Sequence, residues 1–194
     1  TMYAQSVDRI INNDELNLAG TLSGTVVGNG TTYLGAYGDE NLTFAQGGNI
    51  AGMFVLNDGN LNFTPDTIAE TRIGEISGNA TVTLDADLNG ITSDRITVVS
   101  PSTGVLTVTG VNALNKLPDD IDIEDFRVQV LDTRTDALQL ALADDTEYLV
   151  KVLGEKTVVD EAQHVTDWDT KYYITDYSGD KVWAKFALAT TNTT

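Results

Sequence analysis

The chain has 194 residues, 41% of them apolar, with 29 acidic against 11 basic side chains and a net charge of −18. Phosphate binding needs a basic face, so nucleic acid is not an expected partner, and anionic membrane surfaces are disfavoured on the same ground. The absence of cysteine removes disulfides, thiolate zinc sites and cysteine nucleophiles together, and no apolar run approaches the ~18 residues of a membrane helix, so no direct membrane insertion by this segment is expected.

The first ten residues, TMYAQSVDRI, lack a basic segment followed by an apolar core. No signal peptide is expected there, and an exported form would be a mature chain or an excised piece. From Ile10 to about Asn112, short alternating units recur: ELNLAG at 15–20, NLTFAQ at 41–46, NLNFTP at 60–65, TVTLDA at 81–86, RITVVS at 95–100 and VLTVTG at 105–110. Each has period-2 alternation and is bounded by Gly, Asn, Asp or Ser, the pattern of a half-buried strand between turns. The pairs Leu16/Leu18, Leu42/Phe44, Leu61/Phe63 and Val82/Leu84 follow one another at 26, 19 and 21 residues. A repeat of that size without helical signals suits a β-solenoid, whose single turn cannot bury its apolar face until the next one stacks on it. The same alternation also suits an antiparallel sandwich.

Composition shifts near Lys116, dividing the chain into solenoid rungs over 1–115 and a β cap over 116–194. The acidic segment LPDDIDIEDF, Leu117 to Phe126, is the junction. In DALQLALADD, residues Leu138, Leu140 and Leu142 share a face if the chain is extended, with a short helix as the alternative. Half of the aromatic residues lie after position 147, which points to a larger C-terminal core. The sequence KYYITDYSGDKVWAKFAL reads as a hairpin turning at Ser178, Gly179 and Asp180.

Candidate sites are few. Asp85, Asp87, Asn89 and Gly90 match positions one, three, five and six of a calcium loop, but Ile96 stands where the bidentate Glu belongs. Strict alternation instead makes the two carboxylates the polar face of a strand, with Asn89-Gly90 as its turn. In the junction, Asp120, Asp122 and Glu124 fall on one side of an extended segment, with Asp119 and Asp125 beside them. This concentration of like charge makes the trio the metal candidate, and calcium the ion it would take; no other cofactor is expected. His164, the one histidine, has no sequence neighbours that suggest a triad. No phosphate loop, dinucleotide fingerprint or metalloprotease helix is present, and with so many carboxylates a pair suited to glycoside cleavage carries no information. The tripeptide Asp-Arg-Ile occurs twice, at 8–10 and 94–96, and reads as a local charge pair on a turn between rungs.

The stretch LDADLNGITSDRITVVSPSTGVLTV resembles the C-terminal passenger region of pertactin-like and AIDA-like autotransporters. Leu84, Asp87, Leu88, Ser93, Asp94, Ile96, Val98, Gly104, Leu106 and Val108 occupy comparable places, and the ending YYITDYSGDKVWAKFAL is similar to the aromatic hairpin closing such passengers. The likeness covers about a third of the chain; the translocating barrel is missing, and Leu117 to His164 does not align. It implies an all-β fold, a right-handed parallel β-helix with a C-terminal β-hairpin or sandwich-like cap. It also implies display on a bacterial surface, often for adhesion. No catalytic residue carries over.

The expectation is therefore a non-enzymatic extracellular or bacterial cell-surface segment acting in adhesion, self-association or surface coating. Its partners would be a protein or glycan on a cell surface, or further copies of itself. One rival is a calcium-assisted carbohydrate-binding sandwich using the 119–125 carboxylates with Trp168 or Tyr177 stacked on sugar rings. Another is a polysaccharide-processing enzyme on a β-helix, which rests on fold alone.

Overall fold

The computed structural model describes residues 2–5, 8–35, 40–45, 47–87, 89–90, 92–114, 127–134, 137–143, 150–158 and 168–176. In chain order the strands are β1 (Met2–Gln5), β2 (Arg9–Ile11), β3 (Glu15–Leu22), β4 (Thr25–Val27), β5 (Thr31–Tyr33), β6 (Asn41–Phe44), β7 (Asn49–Val55), β8 (Gly59–Phe63) and β9 (Glu70–Ser77). They continue with β10 (Ala80–Asp87), β11 (Thr92–Ser93), β12 (Arg95–Val98), β13 (Gly104–Leu114), β14 (Arg127–Thr133), β15 (Leu138–Leu142), β16 (Val150–Val158) and β17 (Trp168–Asp176). There is no helix among the described residues, and the helical alternative at Leu138–Leu142 gives way to β15.

Apart from the antiparallel pairs β10–β11 and β16–β17, successive strands do not pair with each other; each pairs with a strand one turn away. One ladder runs through β1, the second half of β3, β6, β8, β10, β13 and β15, all parallel. A second runs through β2, β4 and the starts of β7 and β9, then β12 and β14. A third joins the start of β3, β5 and the ends of β7 and β9. The chain thus winds as a three-sided coil, a parallel β-solenoid. Parallel pairing of this kind overturns the sandwich alternative, whose neighbouring strands would run antiparallel. The parallel ladders also run past residue 115, through β14 and β15.

Alternation explains the core. Along ladder one, Leu42 stacks on Leu61, Leu61 on Val82, and Val82 on Val108. All four are buried. Phe44 stacks on Phe63 with ring centroids 5.7 Å apart and planes tilted by 43°. Each such side chain removes its apolar surface from water only because the turns above and below cover it, a gain of about 1.5–3 kcal/mol per large side chain. The expected register fails at the first pair. Leu42 lies beside Gly20 and Phe44 beside Leu22, whereas Leu16 belongs to ladder three, opposite Thr32. The cause is β3 itself, which passes from one ladder to the next without a break. Gly20, at φ 92°, takes an inward place that an apolar residue holds in the later turns.

One corner shows how tightly the coil is wound. A Cβ on Gly74 would lie 2.6 Å from the carbonyl oxygen of Gly52, and one on Gly30 would lie 2.6 Å from that of Asp14. Backbone meets backbone there, so only glycine fits.

The C-terminal strands change direction. β17 pairs antiparallel with β14 on one side and with β16 on the other, so ladder two ends in an antiparallel cap. The arm Lys171–Asp176 of the expected hairpin is part of β17, but its partner is the earlier strand β16. The other expected arm, after Ser178, lies outside the described residues.

Candidate functional site

Two features of the coil are built from polar side chains at fixed places: a buried carboxylate corner and an outward polar face. The corner follows ladder one into ladder two, and it lengthens along the coil. Ser23 and Gly24 suffice between β3 and β4, residues 45–48 lie between β6 and β7, and residues 64–69 between β8 and β9. After β10 the chain makes an antiparallel hairpin with β11, pairing Ala86 with Ser93 and Asp87 with Thr92. Asp87 Oδ1 accepts the backbone N–H groups of Asn89 at 3.0 Å and Gly90 at 3.2 Å, an Asx-type turn. The expected turn at Asn89-Gly90 is therefore in place, and one Asp87 oxygen is committed to holding it.

Asp85 departs from expectation. Alternation placed it on a water-facing surface, yet it is buried, because the 64–69 corner of the previous turn lies over it. Its Oδ2 accepts the Thr67 N–H at 3.3 Å and its Oδ1 accepts Asn112 Nδ2 at 3.0 Å. Burial raises its pKa above the ordinary aspartate range, against the pull of the Asn112, Thr67 and Asp66 hydrogen bonds. Asn112 Nδ2 also reaches Asp66 Oδ1 at 3.3 Å.

Asp94 was read as one half of a local ion pair and is not. It is fully buried, with Oδ1 accepting the Ala69 N–H at 2.9 Å and Oδ2 the Asp85 N–H at 2.7 Å. Its own N–H donates to the Asp85 carbonyl at 2.9 Å. Desolvation pushes its pKa up to about 7 despite those two donors, and the neighbouring Asp85 carboxylate adds to the rise. Arg95 turns away to Glu70, one turn earlier, at 2.6 Å on an exposed surface. The second Asp-Arg-Ile is thus a corner clasp followed by an inter-turn ion pair. Sequence reasoning missed this clasp because the donors lie on other segments; the repeated tripeptide, and the place Asp94 holds in the resemblance, were the signals that marked the residue.

The corner binds turns to one another. Among the described residues, no three His, Cys, Asp or Glu side chains are grouped to hold a metal ion. The trio proposed for calcium, Asp120, Asp122 and Glu124, lies outside the described residues, as do Asp119, Asp125, His164 and Tyr177. Trp168 opens β17.

The outward face of ladder one carries two columns. Pairing aligns Asn41, Asn60, Thr81 and Thr107 in one, and Thr21, Thr43, Asn62 and Thr83 in the other. Asn60 Nδ2 donates to Asn41 Oδ1 at 3.1 Å, and Thr81 Oγ1 donates to Asn60 Oδ1. Thr83 Oγ1 lies 3.3 Å from Thr109 Oγ1 of the next turn. These side-chain bonds run along the coil axis, from turn to turn. None of these column positions is charged, in a chain of net charge −18, whereas ladder two exposes Arg9, Glu70 and Arg72. Period-2 alternation made the columns legible; their alignment needed the register.

No family model and no curated protein matches the sequence.

Proposed function

We propose that this chain is a non-enzymatic segment of an extracellular, bacterial cell-surface protein, akin to an autotransporter passenger, and that it acts in adhesion, self-association or surface coating. The observation that supports this reading is the outward face of ladder one. Successive turns hold Thr and Asn side chains in aligned, uncharged columns, with an apolar core behind them that fixes their spacing. A rigid repeat of weak hydrogen-bonding groups suits contact with an extended surface, where many small terms add without new ordering at each one. The carboxylates elsewhere keep the chain soluble and well separated from unintended partners.

Beads coated with the protein test the reading. They are expected to clump, or to be retained on cell layers, glycan-coated surfaces or bare plastic, well above albumin-coated beads of the same size. Beads that remain dispersed and wash off every surface would overturn it.

A further inference from the structure

We infer that the outward face of ladder one docks on crystalline chitin, the uncharged polymer of N-acetylated hexosamine. The inference rests on the adhesive reading and deepens it by naming the surface.

Three observations select this occupant. The first is charge. A chain of net charge −18 presents two columns free of charged residues, so the face is matched to a neutral partner and not to a basic one. The second is the repeat. Adjacent turns of a β-ladder lie ~4.8 Å apart, a distance set by the N–H···O=C bond. In crystalline chitin the acetamido groups also stack in N–H···O=C columns, so the same bond sets a closely similar repeat. The third is the chemistry of the columns. Asn41 and Asn60 share one side-chain amide hydrogen bond along the coil axis, 3.1 Å from donor to acceptor, and the Thr81 hydroxyl continues the chain of bonds to the next turn. Amide and hydroxyl groups set at this repeat can lie beside acetamido columns of the same repeat from turn to turn without losing register. The two columns are a series of Asn and Thr, with no aromatic or large apolar side chain among them. Such a series gains little from a flexible soluble sugar, which would lose conformational freedom at each contact, and more from a ligand already ordered in a lattice.

The experiment incubates the full chain with microcrystalline chitin and with microcrystalline cellulose, at low and at high salt, and measures the fraction carried into the pellet. Retention is expected on chitin, unchanged by salt because neither surface is charged, and weak on cellulose, which has the hydroxyls but not the amides. Asn62→Lys or Thr43→Arg, each placing a charge inside the columns, should lower retention about tenfold or more, while Arg72→Ala on ladder two leaves it unchanged. Far-ultraviolet circular dichroism and melting temperature establish that the variants fold, and a variant that does not fold is replaced by the other. Equal retention on the two polymers, retention abolished by salt, or folded variants that bind as well as the parent would each overturn the inference. Beads that adhere elsewhere while chitin retention fails would remove this inference and leave the adhesive reading standing.

Discussion

Asp8-Arg9-Ile10 and Asp94-Arg95-Ile96 are the same three residues, and each leads into a strand of ladder two, β2 in one case and β12 in the other. Their surroundings differ completely. Asp8 is exposed, and it is its backbone carbonyl that receives the Thr25 N–H at 3.1 Å. Asp94 is buried and uses both carboxylate oxygens to hold two other segments. Nor are the copies in register. Following the pairings down the ladder, Ile10 aligns with Val26, Ile50, Ile73 and then Val98, whereas Ile96 aligns with Thr71. What separates them is the corner. Near the start of the coil Asp8 is exposed, and Ser23 and Gly24 alone make the corner one turn on, but by β10 a longer strand, a hairpin and the 64–69 segment close over it. A tripeptide's role in a solenoid is set by what neighbouring turns lay on it, not by its own residues.

Removing each aspartate in turn is the strongest way to break this comparison. Asp94→Ala leaves the Ala69 and Asp85 N–H groups without their acceptors, at about 1–3 kcal/mol each, so a loss of roughly 2–6 kcal/mol is expected in denaturant unfolding. Asp8→Ala removes an exposed carboxylate and should stay within about 0.5 kcal/mol. Equal effects at the two sites would show that the clasp does not stabilise the coil.

The pH dependence tests the second copy next. Asp94 has its pKa pushed up to about 7 in the folded chain, against ~3.9 for an unfolded aspartate. Its folded form therefore binds the proton more tightly than the unfolded one. The resulting stabilisation is complete below about pH 4 and is lost as pH rises through about 7, amounting to on the order of a few kcal/mol. Asp85, shifted in the same direction, adds to the slope. Melting temperatures between pH 5 and pH 8 should fall for the parent and flatten for Asp94→Asn. A parent curve that rises over this range would refute the assignment.

The parts of the molecule that could be read in advance are those governed by local alternation. In NLTF and NLNF every second residue points inward, and Leu42, Phe44, Leu61 and Phe63 are buried as alternation requires. The stacking of Leu42 on Leu61 followed from their spacing of 19 residues. At β3 the same reasoning misplaced the register, because ELNL matches the pattern better than the 18–22 segment that actually serves ladder one. Period 2 does not tell which ladder a strand serves. The corner was illegible for a different reason. Thr67 to Asp85, Ala69 to Asp94 and Asp66 to Asn112 are contacts 18, 25 and 46 residues apart, and alternation marks an aspartate as outward without revealing that another turn covers it. An antiparallel cap was legible at the C-terminal end, but the pairing of β17 with β16 was not, since the turn signal at Ser178-Gly179-Asp180 drew attention to a following arm that lies outside the described residues.

Thr71 sharpens the register difference. It is buried opposite Ile96, and its Oγ1 has no hydrogen-bond partner among the described residues. Its place is one that an aliphatic side chain would fill without an unpaired hydroxyl. Thr71→Val, which keeps the shape, is expected to stabilise the chain by about 1 kcal/mol, read as a higher denaturation midpoint with an unchanged slope. Destabilisation would mean that the hydroxyl is satisfied in solution and that the pairing of Ile96 with Thr71 is not a dry contact.

The smallest effect concerns the arginines. Arg95 reaches Glu70 at 2.6 Å, with their side chains 37% and 55% exposed, and Glu70 also accepts a hydrogen bond from Thr97 Oγ1 at 3.3 Å. An ion pair this open to water is worth about 0.2–1 kcal/mol, so Arg95→Ala should cost no more than that. A double-mutant cycle on Arg95 and Glu70 should give a coupling of that size at low salt, shrinking as salt screens the charges. The cycle also tests the comparison at its most superficial point. If the second tripeptide owed its importance to Arg95, the coupling would rival the cost of Asp94→Ala; a coupling several-fold smaller assigns the weight to the buried aspartate and leaves the arginine as a surface contact between two turns.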